Sequence, residues 1–448
     1  MITRFGLLIR LGRGLYRISD AVLITVGLAA LASSPFYHLA TVRAHLIGST
    51  VAPPFAAPAV LCLGLGLALR SLLRRDFVWQ DPAKLTWSDG TEGRIGTIGR
   101  RLWGSWAVRF VLVAYATAGG AALFAGSPNW VSAGLAAFVA VAALAVVAAR
   151  RTASVRIRWV EQLASLILPL VGSLLAVQLL PSSWLWGVAA VALVSAIALL
   201  FRSGLPLRPA VASQALRGEL VEQYNVRLVR RMSVAFLDLL SLLPGPSTLT
   251  WSRLFAGPAI VLRFVLGGVF ARRAGLLLSL LLVWAVAVVH LVFPLLSTPW
   301  LVGIAGYFAA LPFAAVLAKL NQQPGLRRWL GCTDLDLRLT TAGLVVVVMA
   351  IWLALVLAFG VPADPQVLLA ALLASAAVIR TATRPAFDYG NVGITTTPDG
   401  NMVPFGLVVQ LVRGPEVLLI GLYVANSSLP PNLKPVVCLA IAAFAFIR

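Results

Sequence analysis

Charged side chains set inside apolar runs are where this chain could do chemistry. Arg109 lies about two turns into the run Trp103–Phe124, and Arg413 and Glu416 flank Gly414-Pro415 inside the run Pro404–Val424. An arginine at the centre of a membrane helix costs about 2.5–3.5 kcal/mol on insertion scales. Such residues pair, line a path or reach the interface. Arg109 either snorkels to the cytoplasmic face or lines a pathway. Arg413 and Glu416 are spaced i,i+3, which lets them pair, and the Gly-Pro between them kinks or ends a helix. The segment is then either a broken helix beside a substrate path or an elbow helix followed by a short span.

Two polar inserts interrupt the apolar sequence. The first, Arg74–Leu102, reads RRDFVWQDPAKLTWSDGTEGRIGTIGRRL; the second, Asn321–Thr340, reads NQQPGLRRWLGCTDLDLRLT. Trp79, Leu85, Trp87 and Ile95 would give the first a short amphipathic helix with an aromatic face, with Arg94 beside Ile95. The second carries Trp329 among Arg327, Arg328, Asp334 and Arg338. A short amphipathic helix with charged ends either enters a partner's groove or lies on lipid headgroups.

Other chemistries lack their residues. There is no G-x-x-x-x-G-K-[ST], so the chain does not hydrolyse ATP by that route. There is no H-E-x-x-H and no nucleophile elbow. Cys62, Cys332 and Cys438 do not pair by spacing, and His38, His45 and His290 are scattered. The stretch Asp388–Met402 is rich in turn formers but follows no phosphate-loop pattern. The expectation is a chain with no metal or cofactor of its own that is not an enzyme, an intramembrane transferase working on lipid being the weakest alternative.

The elements that would position these residues follow from composition. Of 448 residues, 60% are hydrophobic and 11% charged, with a mean hydropathy of +0.94. A soluble domain carries roughly 25% charged residues. The composition fits a polytopic helical membrane protein, because lipid demands internally satisfied backbone. A span needs about 20 apolar residues. The candidates are Ala21–Val42, Phe55–Leu73, Trp103–Phe124, Trp130–Ala149, Trp159–Leu180, Trp184–Phe201, Ala274–Leu296, Trp300–Ala318, Thr341–Phe359, Gln366–Ala382, Pro404–Val424 and Pro435–Ile447. The net charge of +21 would suggest nucleic acid in a soluble protein. Here alternate links are basic, and only Arg43 and Lys434 fall on the other side. The positive-inside rule then puts both termini in the cytoplasm, in a bacterial plasma membrane, with lipid rather than nucleic acid as the partner.

The expected fold is all-α, with about twelve transmembrane helices in two pseudo-repeated halves. Residues 1–202 form the first six-helix half, 203–273 a cytoplasmic linker and elbow, and 274–448 the second half. Each half reads as a basic elbow, two spans, a polar insert, two spans, a basic link and two spans. Pro169 and Pro415 are expected to break corresponding spans. Within the linker, Arg208–Leu243 has helical spacing and ends at Pro244-Gly245-Pro246.

This layout resembles the permease subunits of bacterial ABC-2-type exporters in duplicated form, and a family of large actinobacterial ABC-permease-like membrane proteins. The resemblance is carried by DPAKLTW (81–87), LRRWL (326–330) and TRPAFDYGNVGITTTPDGNMVPFGLVVQLVRGPE (383–416); at 88–94 the chain departs from the family with SDGTEGR. It implies coupling helices in the two inserts, which would dock two separate ATPase subunits that carry the ATP. It also implies translocation of a hydrophobic or amphiphilic compound or peptide. The alternative is a structural or accessory membrane subunit. A secondary transporter is disfavoured because Asp, Glu and His are scarce inside the spans.

Overall fold

A computed structural model describes residues 37–48, 53–73, 78–88, 93–124, 155–181, 184–203, 215–235, 240, 243, 260–322, 325, 333–384, 394–396, 402–404 and 413–447. The first half has α1 (Leu39–Ile47), α2 (Ala56–Leu72), α3 (Pro82–Ser88), α4 (Gly93–Phe124), α5 (Val155–Ala176) and α6 (Trp184–Ser203). The linker contributes α7 (Arg217–Ala235) and α8 (Ile260–Ala271). The second half has α9 (Ala274–Val292), α10 (Thr298–Gln322), α11 (Asp334–Ala358), α12 (Pro365–Thr383), α13 (Pro415–Asn426) and α14 (Leu433–Ile447). Among the described residues, five helical stretches are long and apolar enough to cross a membrane: Arg158–Ala176, Ala274–Val292, Thr298–Asn321, Leu335–Ala358 and Pro365–Ala382. The expected span Trp130–Ala149, most of Ala21–Val42, and the basic N-terminal segment lie outside the described residues.

The described body is helical, as expected, apart from one short hairpin. Strands β1 (Ile394–Thr396) and β2 (Met402–Pro404) pair antiparallel, with Thr395 opposite Val403. Two helix starts also move. α4 begins ten residues before Trp103, and α11 begins seven residues before Thr341. In both, the C-terminal part of the polar insert is already helix. At α11 the cause is local. Thr333 caps the helix by accepting from the Asp336 N–H at 3.2 Å, and the Asp336 carboxylate reaches back to the Thr333 N–H at 3.3 Å. This reciprocal pair satisfies two donors that a helix start leaves open.

Pro169 does not break its span: α5 runs through it. The ring fits because α2 offers glycine opposite. A Cβ on Gly66 would lie 2.3 Å from Pro169 Cδ, and one on Gly172 would lie 2.9 Å from the Ala59 carbonyl oxygen. Small residues let these two backbones approach, which is how helices associate where no hydrophobic force acts between them. Pro415 opens α13 in the first turn, where its missing N–H costs nothing.

Among the described residues the core has two buried apolar clusters. One gathers residues of α9 to α14 around α10 and α12, with Leu166 of α5 and Val265 of α8; the other gathers α1, α2, α3, α4, α5, Ala192 of α6 and Leu220 of α7. α9 belongs to both, since Val283 and Val286 sit in the first and Val288 and Val292 in the second. The Phe124 and Phe293 rings meet edge to face at 5.4 Å, locking the end of α4 to the end of α9.

Candidate functional site

The first insert folds onto its own chain. Asp81 starts α3: its Oδ1 accepts from the Ala83 N–H at 3.0 Å, and Pro82 takes the first helical position. One turn on, Leu85 is fully buried with Ile98 of α4 and Leu220 of α7. The Trp79 ring lies beside them. The Arg101 guanidinium carbon is 3.7 Å from the indole centroid and that of Arg227 is 4.7 Å from it. Tyr224 adds a tilted ring at 5.9 Å. Arg101 also donates to the Trp79 carbonyl and, at 3.2 Å, to Gln80 Oε1, while the Gln80 N–H donates to the Leu220 carbonyl at 3.3 Å. Leu220, Tyr224 and Arg227 are spaced i, i+4, i+7, so one face of the linker helix receives the insert. Burial, and then the nearby Arg227 charge, lower the Arg101 pKa from its usual value; the group stays charged at any physiological pH.

Trp79 and Leu85 were expected to face a partner or lipid, and instead they face α4 and α7. The amphipathic face is real, but the surface that covers it comes from the linker. Trp87 lies on α3 and Arg94 on α4. In the second insert, Arg327, Arg328 and Trp329 lie outside the described residues. Asp334 is the first residue of α11, and Arg338 is half-buried one turn later.

Removing the indole tests the clamp. A cation–π contact contributes about 0.5–1 kcal/mol when exposed and about 2 when desolvated. Trp79→Ala is expected to weaken the insert–linker contact by about 2 kcal/mol. Limited proteolysis of the full chain in detergent should then cut the 203–273 linker faster, with Trp79→Phe intermediate.

The charges within apolar runs act as caps and pairs. Arg109 Nη1 donates to the Ser71 carbonyl at 2.8 Å, next to the end of α2. Arg43 Nε does the same at the far end of α4, reaching the Leu123 carbonyl at 2.7 Å. Terminal carbonyls have no partner within their own helix, and a cation there also complements the helix dipole.

Glu416 goes to a residue that the spacing did not single out. Its Oε1 accepts from Arg380 Nε at 2.8 Å, and its Oε2 accepts from the Gly414 N–H. Arg380 is only 8% exposed, and its guanidinium lies 4.9 Å from the Phe444 ring. Arg413 is half-buried just before Gly414. Arg384, one turn beyond Arg380, is 6% exposed. Thr381 Oγ1 donates to the Ala377 carbonyl at 2.8 Å and sits 3.0 Å from the Tyr307 hydroxyl. The threonine's one proton is therefore spent, and Tyr307 donates to it. Asn321 Nδ2 donates to the Ala382 carbonyl at 3.1 Å, fixing the end of α10 to the end of α12. The sequence carried one signal for this cluster, since Arg380 falls inside the apolar run Gln366–Ala382. Nothing local points to Glu416, 36 residues away.

Among the described residues, no group of three His, Cys, Asp or Glu side chains could hold a metal ion. No family model, curated protein or solved structure matches the chain.

Proposed function

We infer that the chain is the membrane-spanning permease subunit of an ABC-type exporter, working with ATPase on separate subunits and moving a hydrophobic or amphiphilic substrate. The observation that carries this reading is the continuity of α4. The helix has 32 residues, about 48 Å at 1.5 Å per residue, against a hydrocarbon core about 30 Å thick. Its first turns belong to the insert, and Arg101 ties them to Trp79. A push on the insert would travel into the membrane body along a rigid rod. α11 is built the same way, starting in the second insert with its own cap.

The reading entails twelve spans in two six-helix halves, with both inserts and both termini in the cytoplasm of a bacterial cell. Trp79 and Leu85 are taken by the chain itself. ATPase contact therefore falls to the outer side of α3, where Ala83, Lys84 and Thr86 are exposed, with Trp87 and Arg94 nearby in sequence. Arg327, Arg328 and Trp329 would serve the second ATPase. ATP would act by differential contact with two states of the body.

A nucleotide-binding ATPase is expected to copurify with the tagged full chain from its native membrane. Trp87→Ala combined with Trp329→Ala is expected to release it. The alternative, a structural or accessory subunit, is favoured by the clamp, because an insert already bound to its own linker needs no partner. That alternative predicts copurification of other membrane subunits with no ATPase among them.

A further inference from the structure

The contacts around Arg380 leave an arginine donor unused in a place sealed from water. We propose that this cluster is a binding site for an anionic head group, a phosphate or carboxylate on an apolar tail, and that Glu416 holds the anion's place in the closed state. Calling this ligand the transported substrate rests on the permease reading; the binding itself does not.

Arg380 carries the argument. Its side chain is more than nine-tenths buried, and its Nη1 is buried with no hydrogen-bond partner among the described residues. A guanidinium presents five donors in a planar fork that matches a carboxylate or phosphate through two parallel bonds. Glu416 does not provide that match. It gives Arg380 one oxygen at Nε and turns the other to the Gly414 N–H. A buried donor left unsatisfied carries its full desolvation cost, so an anion that engaged both nitrogens would improve on the resident carboxylate.

The surroundings suit an amphiphile. Arg384, one turn beyond Arg380 and itself buried, adds positive field beside the head-group position. Phe444, against the Arg380 guanidinium, is 47% exposed on the outer face of α14, where an apolar tail would lie. Glu416 has a way out. It is the more exposed partner of the pair, 25% against 9%. It sits in the first turn of α13, two residues after Gly414, whose positive φ of 116° ends the preceding backbone at that point.

The test uses the full chain in maltoside detergent with no ATPase present. Dodecyl phosphate is titrated while the thermal transition is followed. Inorganic phosphate and dodecyltrimethylammonium are run in parallel. Saturable stabilisation by dodecyl phosphate is expected, and none by the cationic detergent. Arg380→Gln should weaken the binding roughly tenfold or more, the value of a charge-assisted hydrogen bond. Glu416→Gln should strengthen it, because the competing anion is gone. That gain separates a ligand site from a purely structural pair, in which Glu416→Gln would bring no tighter binding. Stabilisation by inorganic phosphate equal to that by dodecyl phosphate would support the site and assign it to a free anion. Equal stabilisation by the cationic detergent, or dodecyl phosphate binding indifferent to both variants, would overturn the proposal. Absence of a copurifying ATPase would leave these results untouched.

Discussion

Gly414→Ala is expected to cost roughly 3 kcal/mol or more, combining backbone strain of about 1–3 kcal/mol with overpacking of about 1–3 kcal/mol. The glycine has φ 116° and ψ −65°, a conformation hostile to any Cβ. An added Cβ would also fall 2.0 Å from Thr381 Oγ1 and 2.9 Å from Thr381 Cα. The hydroxyl could turn away, but the backbone atom cannot. The displaced Thr381 would lose its contact with Tyr307, and Glu416 would lose a backbone donor. Gly343→Ala is the control: nothing lies within 4 Å of its Cβ position in α11, and alanine there should help the helix by up to about 1 kcal/mol. Thermal unfolding of the two variants in detergent gives the comparison. Equal transitions would mean that the backbone at Gly414 is not held in this conformation.

Arg380→Met is the second large effect. Breaking a buried pair by removing one partner costs about 3–5 kcal/mol, whereas replacing both partners with apolar groups is often near neutral. Arg380→Met is therefore expected to lower stability by about 3 kcal/mol or more, and adding Glu416→Met should restore most of the loss. The coupling term of the double-mutant cycle is the quantity to read. A coupling near zero would show that the pair contributes nothing to the fold.

Where the structure describes the chain, hydropathy located apolar helices better than it located helix ends, for a physical reason. Phe55–Leu73 was expected and Ala56–Leu72 is found, because α2 stops where the apolar residues stop. α4 and α11 run on into polar sequence, where hydropathy marks the edge of the hydrocarbon and says nothing of the backbone. The start of α11 was nonetheless written in Thr333-x-x-Asp336, a cap readable by eye. The hairpin had its signal too. Asp399-Gly400 stands between Ile394–Thr396 and Met402–Pro404, and Asp-Gly between short β-prone runs marks such turns. Pro169 misled because proline breaks an isolated helix, while here Gly66 on a neighbouring helix makes room for the ring. Trp79 and Leu85 formed an amphipathic face on paper, but periodicity cannot say which surface covers a face. The Arg380–Glu416 pair was illegible for the same reason, since only the folded bundle brings the two residues together.

The clamp on Trp79 also decides where the polypeptide could be cut in two. The linker helix gives Leu220, Tyr224 and Arg227 to the first insert, so it is the property of the first half. A division between Ala235 and Ile260 would leave that half with its full set of internal partners. A division just after Arg202 would strip Trp79 of two of its neighbours and open Leu85 to water. Two separately encoded half-length chains would thus have to be unequal in length, the first carrying the linker helix α7 and the second beginning at its own elbow.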